Sequence, residues 1–342
     1  MKEARFYKVL KDDIVMCDLC NRHCVLRDGD VGECRVRKNV GGKLYSLVYG
    51  KRVAWNVDPI EKKPFYHFLP GSLAYSFSTV GCNFHCKNCQ NWTISQPKEI
   101  VGEEVPPEKI VDEALRYKTD GIAYTYTEPT VFFEYAYDTA KIAYGKGLYN
   151  VFVTNGYMTK EVIKNMDVID ASRIDIKSMR DEFYREICGD VHLDFVLESI
   201  KELFKRQHIE LIALLIPTLN DSDDEIRAMA QWIIGHLNRD VPLHFIAYYP
   251  AHKMTLPPTP LSTLRRAREL AMEEGLNYVY TGNIPGDVGE STYCPNCGEL
   301  IIQRYGFEVI KVNLTKDNRC PSCGHPIPII TDLEKYRNSK RD

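Results

Sequence analysis

The chain has 342 residues, of which 44% are hydrophobic and 27% charged, and a formal net charge of −3. That composition belongs to globular proteins rather than to disordered or membrane chains. There is no run of about 18 apolar residues, no signal-peptide core after Met1-Lys2-Glu3-Ala4-Arg5, and no long basic stretch to attract nucleic acid, so a cytoplasmic location is expected.

In chain order, the first feature is Cys17-Asp18-Leu19-Cys20-Asn21-Arg22-His23-Cys24, followed by Gly32-Glu33-Cys34. Four thiolates so close in sequence can close the shell of a zinc ion or bind an iron-sulfur cluster, and spacing alone does not separate the two. His23 reads as a surface neighbour rather than a ligand. Residues 1–70 form a cysteine-rich segment, and Asp58-Pro59-Ile60-Glu61-Lys62-Lys63-Pro64 near its end reads as a turn-rich, solvated link.

An apolar, β-prone run from Leu73 to Val80 then leads into Gly81-Cys82-Asn83-Phe84-His85-Cys86-Lys87-Asn88-Cys89, a C-x3-C-x2-C loop. Structural zinc sites and electron-transfer 4Fe-4S clusters both take four ligands. Cys82, Cys86 and Cys89 supply three, which leaves one metal position open. An open iron on a low-potential cluster can chelate the amino and carboxylate groups of S-adenosylmethionine and pass an electron to its sulfonium. The alternative is zinc, with a fourth ligand such as His85.

Short β-prone runs continue at Gly121–Thr127, Tyr149–Thr154, Ser172–Lys177, Ile209–Ile216 and Val241–Tyr249, with a seventh candidate at Tyr278–Thr281. Helical patterns lie between them at Pro107–Tyr117, Val131–Tyr144, Lys160–Met166, Leu193–Lys205, Asp223–His236 and Leu261–Glu274. Strand-helix repetition predicts a parallel sheet with crossover helices. The fold class is therefore α/β, a partial (β/α)6 TIM-like barrel over residues 71–288. No G-x-G-x-x-G follows the first strand to argue for a dinucleotide fold. Parallel barrels carry chemistry at the C-terminal ends of strands, and polar residues fall there repeatedly: Cys82, Thr127-Glu128, Asn155, then Asp175 and Lys177. The crowded tyrosines of the second and third repeats read as packing, and Cys188 as a buried side chain.

The last segment, 289–342, holds Cys294-Pro295-Asn296-Cys297-Gly298 and Cys320-Pro321-Ser322-Cys323-Gly324. Two C-x2-C knuckles flanking short strands at Ile301–Arg304 and Phe307–Val312 predict a zinc ribbon, with rubredoxin-type iron as the alternative.

The loop and the ordered rim motifs together resemble radical S-adenosylmethionine enzymes of the pyruvate formate-lyase-activating group. The nearest resemblance is to the AmmeMemoRadiSam system subset, which has an N-terminal cysteine cluster and a C-terminal ribbon. The resemblance implies that Cys82, Cys86 and Cys89 hold a 4Fe-4S cluster whose fourth iron takes the cofactor. It implies that Glu128 accepts from the cofactor amino group, with Thr127 as a second candidate contact. It implies that Asn155 lies near the ribose, and that Asp175 and Lys177 form an Asp-x-Lys element facing the carboxylate. An ion pair confined to Asp175 and Lys177 is the local alternative. Two positions depart from the pattern: Tyr126 and Thr127 stand where Gly-Gly-Glu has glycines, and Ala247-Tyr248-Tyr249 stands where activating enzymes carry Pro-Tyr-His.

The function so implied is reductive cleavage of S-adenosylmethionine to a 5′-deoxyadenosyl radical that takes hydrogen from a small-molecule or protein substrate, under anaerobic conditions. An external flavodoxin- or ferredoxin-type donor would supply the electron. A strict glycyl-radical-enzyme activase and a non-enzymatic zinc-rich interaction module are the two rivals.

Overall fold

Every β-prone run between residues 73 and 282 forms a strand, and every helical pattern between them forms a helix. The computed structural model describes residues 1–340. The main elements are β1 (Ala54–Pro59), β2 (Leu73–Ser78), α1 (Pro107–Arg116), β3 (Gly121–Tyr124), α2 (Phe133–Gly145), β4 (Tyr149–Thr154), α3 (Lys160–Lys164), β5 (Ala171–Asp175), α4 (Asp181–Ile187), α5 (Leu193–Phe204), β6 (His208–Leu215), α6 (Asp223–His236), β7 (Leu243–Ala247), α7 (Leu261–Glu273) and β8 (Val279–Gly282). The chain is thus an α/β protein with a central parallel sheet, and no barrel closes among the described residues. No described helix is long and apolar enough to cross a membrane.

The chain divides into two compact units. The first contains Met1–Asp58, Leu73–Ser172 and Tyr184–Gln207. Its strands run in the order β1-β2-β3-β4, with β2, β3 and β4 parallel. Strand β1 was not expected; its residues were read as mixed chain and turn. Its flank pairs Val53 N with Ser78 O at 2.9 Å. Gly121 opens β3 because a Cβ there would lie 2.0 Å from the Tyr149 ring, so only glycine lets the two strands approach.

The tyrosines of this unit pack as expected. Phe77 stands 5.3 Å centroid to centroid from both Tyr124 and Tyr135, and Tyr124 donates to Asn150 Oδ1 at 3.0 Å. The N-terminal segment folds into short antiparallel strands: Tyr7–Val9, Val15–Cys17 and Val25–Leu26 in one sheet, Lys2–Glu3, Lys43–Ser46 and Arg37–Val40 in another. A buried ion pair between Arg37 and Glu134 of α2 anchors it.

The second unit contains Pro59–Ser72, Arg173–Phe183 and the chain from His208 onward. Here β6, β7 and β8 are parallel, with Leu211 opposite Leu243 and Leu243 opposite Val279. Helix α6 starts on an N-cap: Ser222 Oγ accepts from Glu225 N, and three acidic residues occupy the first turn. The link expected to be solvated at residues 58–64 is buried at Asp58, Ile60, Glu61 and Lys63, and the burial continues to Phe68 within the segment Pro59–Ser72. Phe65, His67 and Phe68 are fully buried, and Ile330 bonds the segment on both sides, through His67 O and Leu69 N, each at 2.8 Å.

Beneath this segment lies a buried carboxylate, Glu210 on β6. It accepts from Tyr66 N, His67 N (2.7 Å), His208 Nε2 (3.1 Å) and His244 Nε2 (2.7 Å). Burial alone would raise its pKa, but the donors from His208 and His244 hold it well below the usual carboxylate range. His244 on β7 points into this network. Residues 292–312 form a three-stranded antiparallel sheet (Thr292–Tyr293, Leu300–Tyr305, Glu308–Val312). Its buried Arg304 donates to Tyr66 O and to Thr292 Oγ1, both at 2.8 Å.

Candidate functional site

In the first unit, three cysteines follow β2 on one loop whose path is fixed from several sides. Gly81 has φ +106°, and a Cβ there would meet Val36 Cγ1 at 2.5 Å and Cys34 O at 3.0 Å. Glycine is therefore required both by backbone conformation and by the N-terminal segment pressed against it. After Cys82, the loop's amides bond to the end of α4: His85 N to Cys188 O at 2.8 Å and Lys87 N to Ile187 O at 2.9 Å. Arg22, from the N-terminal cysteine motif, donates to Asn83 O (2.6 Å), Gly189 O (2.5 Å) and Asp190 O (3.3 Å). One guanidinium thus ties the cysteine loop to the segment after α4, a use of its fixed fork that lysine could not reproduce.

The thiols of Cys82, Cys86 and Cys89 are not in disulfides. Phe84 N donates to Cys82 Sγ at 3.4 Å, and Asn155 Nδ2 lies 3.8 Å from the same sulfur. Burial, reinforced by the Glu128 carboxylate and by Cys86, pushes the Cys82 thiol well up. A bound cation would favour the thiolate instead. Three soft donors on one loop, with N–H groups directed at sulfur, fit an iron-sulfur cluster with one uncovered iron. His85, the alternative fourth ligand, turns toward Glu33, with Nε2 3.6 Å from Oε2.

Glu128, Asn155 and Thr127 come together beside this loop. Glu128 Oε1 accepts from Thr130 N (3.0 Å), Thr130 Oγ1 (2.6 Å) and Thr154 Oγ1 (2.6 Å), and Oε2 accepts from Asn155 N (2.8 Å). It caps the turn Pro129–Phe132 and ties the rim of β3 to that of β4. Burial raises its pKa, partly offset by the donors from Asn155, Thr130 and Thr154. Oε2, with one donor, keeps a free lone pair. Asn155 Nδ2 donates to Asn83 Oδ1 at 2.8 Å, which links Glu128 through Asn155 to the cysteine loop. Thr127 donates to Thr79 O at 2.8 Å, leaving its oxygen able to accept. Tyr126 takes φ +62°, the left-handed region that favours glycine, and its carbonyl accepts from Asn91 Nδ2 at 2.8 Å.

In the second unit, Asp175 and Lys177 lie on one face of the extended chain, joined at 2.9 Å, and Arg173 pairs with the same carboxylate. Burial would raise Asp175, but Arg173 and Lys177 outweigh it and hold the group below the ordinary range. Arg173 was not singled out from the sequence, although its i−2 spacing from Asp175 on a strand is the signal that finds it. Tyr248 is buried, its hydroxyl donating to Met254 O at 3.2 Å, and Tyr249 is exposed.

The knuckle cysteines Cys294, Cys297, Cys320 and Cys323 have all four sulfurs within 4.8 Å of one another. Sulfur pairs at 3.6 Å join Cys294 with Cys323 and Cys297 with Cys320. This is the spacing of a tetrahedral thiolate site. Cys17, Cys20, Cys24 and Cys34, in the first unit, line one cavity together with Arg37 and Asn83. His23 bonds Asp18 at 3.0 Å and is not among the cavity's lining residues. Cys188 is fully buried. Asn83 and Arg22 were the residues sequence reading missed: both sit inside quoted motifs, but only the fold shows which partners they reach.

Comparison with known proteins adds a family. A model of the Radical SAM superfamily matches residues 76–233. An uncharacterized protein of Methanocaldococcus jannaschii is 48% identical over 96% of this chain and 100% of its own length. The pyruvate formate-lyase-activating enzyme of Clostridium pasteurianum is 25% identical over 52% of this chain and 77% of its own. A radical SAM methyltransferase from Sphaerobacter thermophilus shares the fold at a TM-score of 0.50 and 15% identity, over 66% of this chain and 71% of that one.

Proposed function

Because residues 76–233 match the Radical SAM superfamily model, we propose that the chain cleaves S-adenosylmethionine reductively and that the resulting 5′-deoxyadenosyl radical takes a hydrogen atom from its substrate. The observation that carries this is the three-thiol loop, Cys82, Cys86 and Cys89, with Asn155 and the Glu128 carboxylate beside Cys82. A 4Fe-4S cluster held by these thiolates supplies, when bound, the inner-sphere electron that breaks the sulfonium carbon–sulfur bond.

The chain's own residues bind and orient. Glu128 accepts from the cofactor's ammonium through the lone pair left on Oε2, a charge-assisted contact. Thr127 Oγ1 is a second acceptor, and Asn155 holds the rim in register while serving the ribose side. Lys177, paired with Asp175 in the second unit, is the residue that the resemblance assigns to the cofactor carboxylate. The electron comes from an external donor of flavodoxin or ferredoxin type, in a cytoplasmic, oxygen-free setting. The knuckle cysteines hold zinc. The likeness to an activating enzyme favours a second, narrower reading, in which the substrate is the radical-site glycine of a partner protein.

The test is anaerobic purification and reconstitution with iron and sulfide, then assay for 5′-deoxyadenosine and methionine after dithionite reduction. Iron-dependent cleavage that disappears in Cys86→Ala supports the enzyme reading. Zinc at every cysteine group with no 5′-deoxyadenosine would leave the zinc-rich interaction module standing instead. Hydrogen transfer to a glycine of a co-purifying protein would select the activase.

A further inference from the structure

The four N-terminal cysteines remain without a role in this chemistry, and the sequence left their metal open. We propose that Cys17, Cys20, Cys24 and Cys34 hold a second iron-sulfur cluster, which passes electrons to the cluster of the Cys82 loop. Three observations within the first unit carry the proposal.

The first is spacing. The knuckle sulfurs gather within 4.8 Å, whereas among the described residues no other set of three or more cysteine, histidine or carboxylate ligand atoms does so. The N-terminal thiols instead surround a cavity that all four line. Four thiolates on one zinc ion, at about 2.3 Å each, draw together around a point. On a cubane each thiolate binds its own iron at a separate corner, so the four stand apart around a filled volume.

The second is the cavity's polar lining. Arg37 and Asn83 are 1% and 0% exposed and both line the cavity; Arg37 Nη1 has no hydrogen-bond partner, and the Asn83 side chain faces the Cys20 sulfur. Buried N–H groups without acceptors are costly. Inorganic sulfide and cysteine sulfur on a cluster supply those acceptors, and such bonds are one means of tuning its potential. Cysteine sulfurs would accept on zinc as well, but only a cluster adds inorganic sulfides as acceptors within the cavity.

The third is position. Asn83 belongs to the Cys82 loop, accepts from Asn155 at 2.8 Å, and lies 4.0 Å from Cys82 Sγ through Oδ1. One buried side chain therefore borders both cysteine sets. Gly81 touches Cys34 O and Val36, and Arg22, between Cys20 and Cys24, grips Asn83 O. The set also opens outward, because Cys24 lines a surface cleft with Arg22, His23, Asp30 and His192. In the proposed relay an external donor docks at that cleft, beside Cys24, the one partly exposed cysteine of the set. One electron reduces that cluster, moves on to the cluster of the Cys82 loop, and leaves the first oxidised again; no bond forms or breaks and no proton moves in the relay.

The relay rests on the proposed cofactor cleavage; the metal assignment does not. The first experiment uses the full chain carrying Cys82→Ala, Cys86→Ala and Cys89→Ala, reconstituted anaerobically with iron and sulfide. About four irons per chain and a reduced-cluster EPR signal unchanged by S-adenosylmethionine are expected, against about eight irons in the unsubstituted chain. Two zinc equivalents with no iron, or no metal beyond that of the knuckles, overturns the assignment. Both readouts stand even if the unsubstituted chain makes no 5′-deoxyadenosine. The second experiment uses Cys34→Ser with the Cys82 loop intact. Cleavage driven by a reduced flavodoxin is expected to fall by about tenfold or more relative to cleavage driven by dithionite, which reaches the loop directly. An equal loss with both reductants, or no loss with either, overturns the relay.

Discussion

Replacing Glu128 by glutamine separates two roles that the geometry gives one carboxylate. Oε1 can remain a carbonyl oxygen and keep its three donors, Thr130 N, Thr130 Oγ1 and Thr154 Oγ1. The new amide then falls at Oε2, facing the buried Asn155 N–H that donated to it at 2.8 Å. Donor meets donor, and the stability cost is that of one buried unsatisfied group, about 1–3 kcal/mol. Loss of a charge-assisted bond to the cofactor ammonium costs about 1.5–3 kcal/mol, or about 10–150-fold in Kd. Anaerobic calorimetry of S-adenosylmethionine binding, alongside thermal unfolding, reads both numbers. Thr154→Val is the control, because it removes one donor to Oε1 without touching the charge. It also strips Gly156 N of its acceptor, so it is expected to cost about 1–3 kcal/mol of stability and to leave Kd within about threefold. A Glu128→Gln chain that is destabilised yet binds the cofactor as tightly as before would refute the contact and leave Glu128 as a tie between β3 and β4.

Three further outcomes are expected. Glu210→Ala removes a carboxylate serving Tyr66 N, His67 N, His208 and His244. It should cost the second unit about 3–5 kcal/mol, seen in denaturant unfolding, and a loss below about 1 kcal/mol would show that the histidines find other partners. The same unit should weaken in mild acid. Burial holds His67 down to about 3, whereas an unfolded histidine titrates near 6.5, so the unfolded chain takes up a proton the folded one refuses. Stability should therefore fall by about 2 kcal/mol for His67 between about pH 6.5 and pH 5, and His67→Gln should flatten that slope. The depressed Glu210 acts with the same sign further down, its contribution being lost as pH falls below about 4.3. Finally, Cys297→Ser should take knuckle zinc from about one per chain to near none by metal analysis, while the iron content holds.

Much of this was legible in the sequence for identifiable reasons. The strands and helices from β2 to β8 announce themselves as β-prone runs alternating with helical patterns. The cysteine groups were legible because metal ligands cluster in sequence. Strand β1 was not, since Trp55 is exposed and Asp58-Pro59 carries a turn signature; only pairing with the distant β2 makes the segment a strand. The burial of His67 was equally hidden. Its partners, Glu210, Pro328 and Tyr280, lie more than a hundred residues away, and a local reading of Glu61-Lys62-Lys63 sees only a charged loop. Arg173 and Asn83 failed to stand out for the same reason: their roles are set by what lies opposite.

The arrangement of the first unit bears on why an N-terminal segment should precede a complete cofactor-binding sequence at all. If residues 1–58 were only a docking module, their contacts with the cysteine loop would be few and replaceable. Instead Gly81 has no room for a side chain because Val36 and Cys34 occupy it, and Arg22 bonds the loop's own backbone at Asn83. The Arg37–Glu134 pair, buried on both sides, further binds the segment to α2. Breaking a buried pair of that kind by removing one partner costs about 3–5 kcal/mol, far more than a surface contact holds. The loop that carries Cys82 is therefore shaped by the segment that carries Cys34. Asn83, which lines the cavity of the N-terminal set and lies beside Cys82, is the side chain at which the two meet.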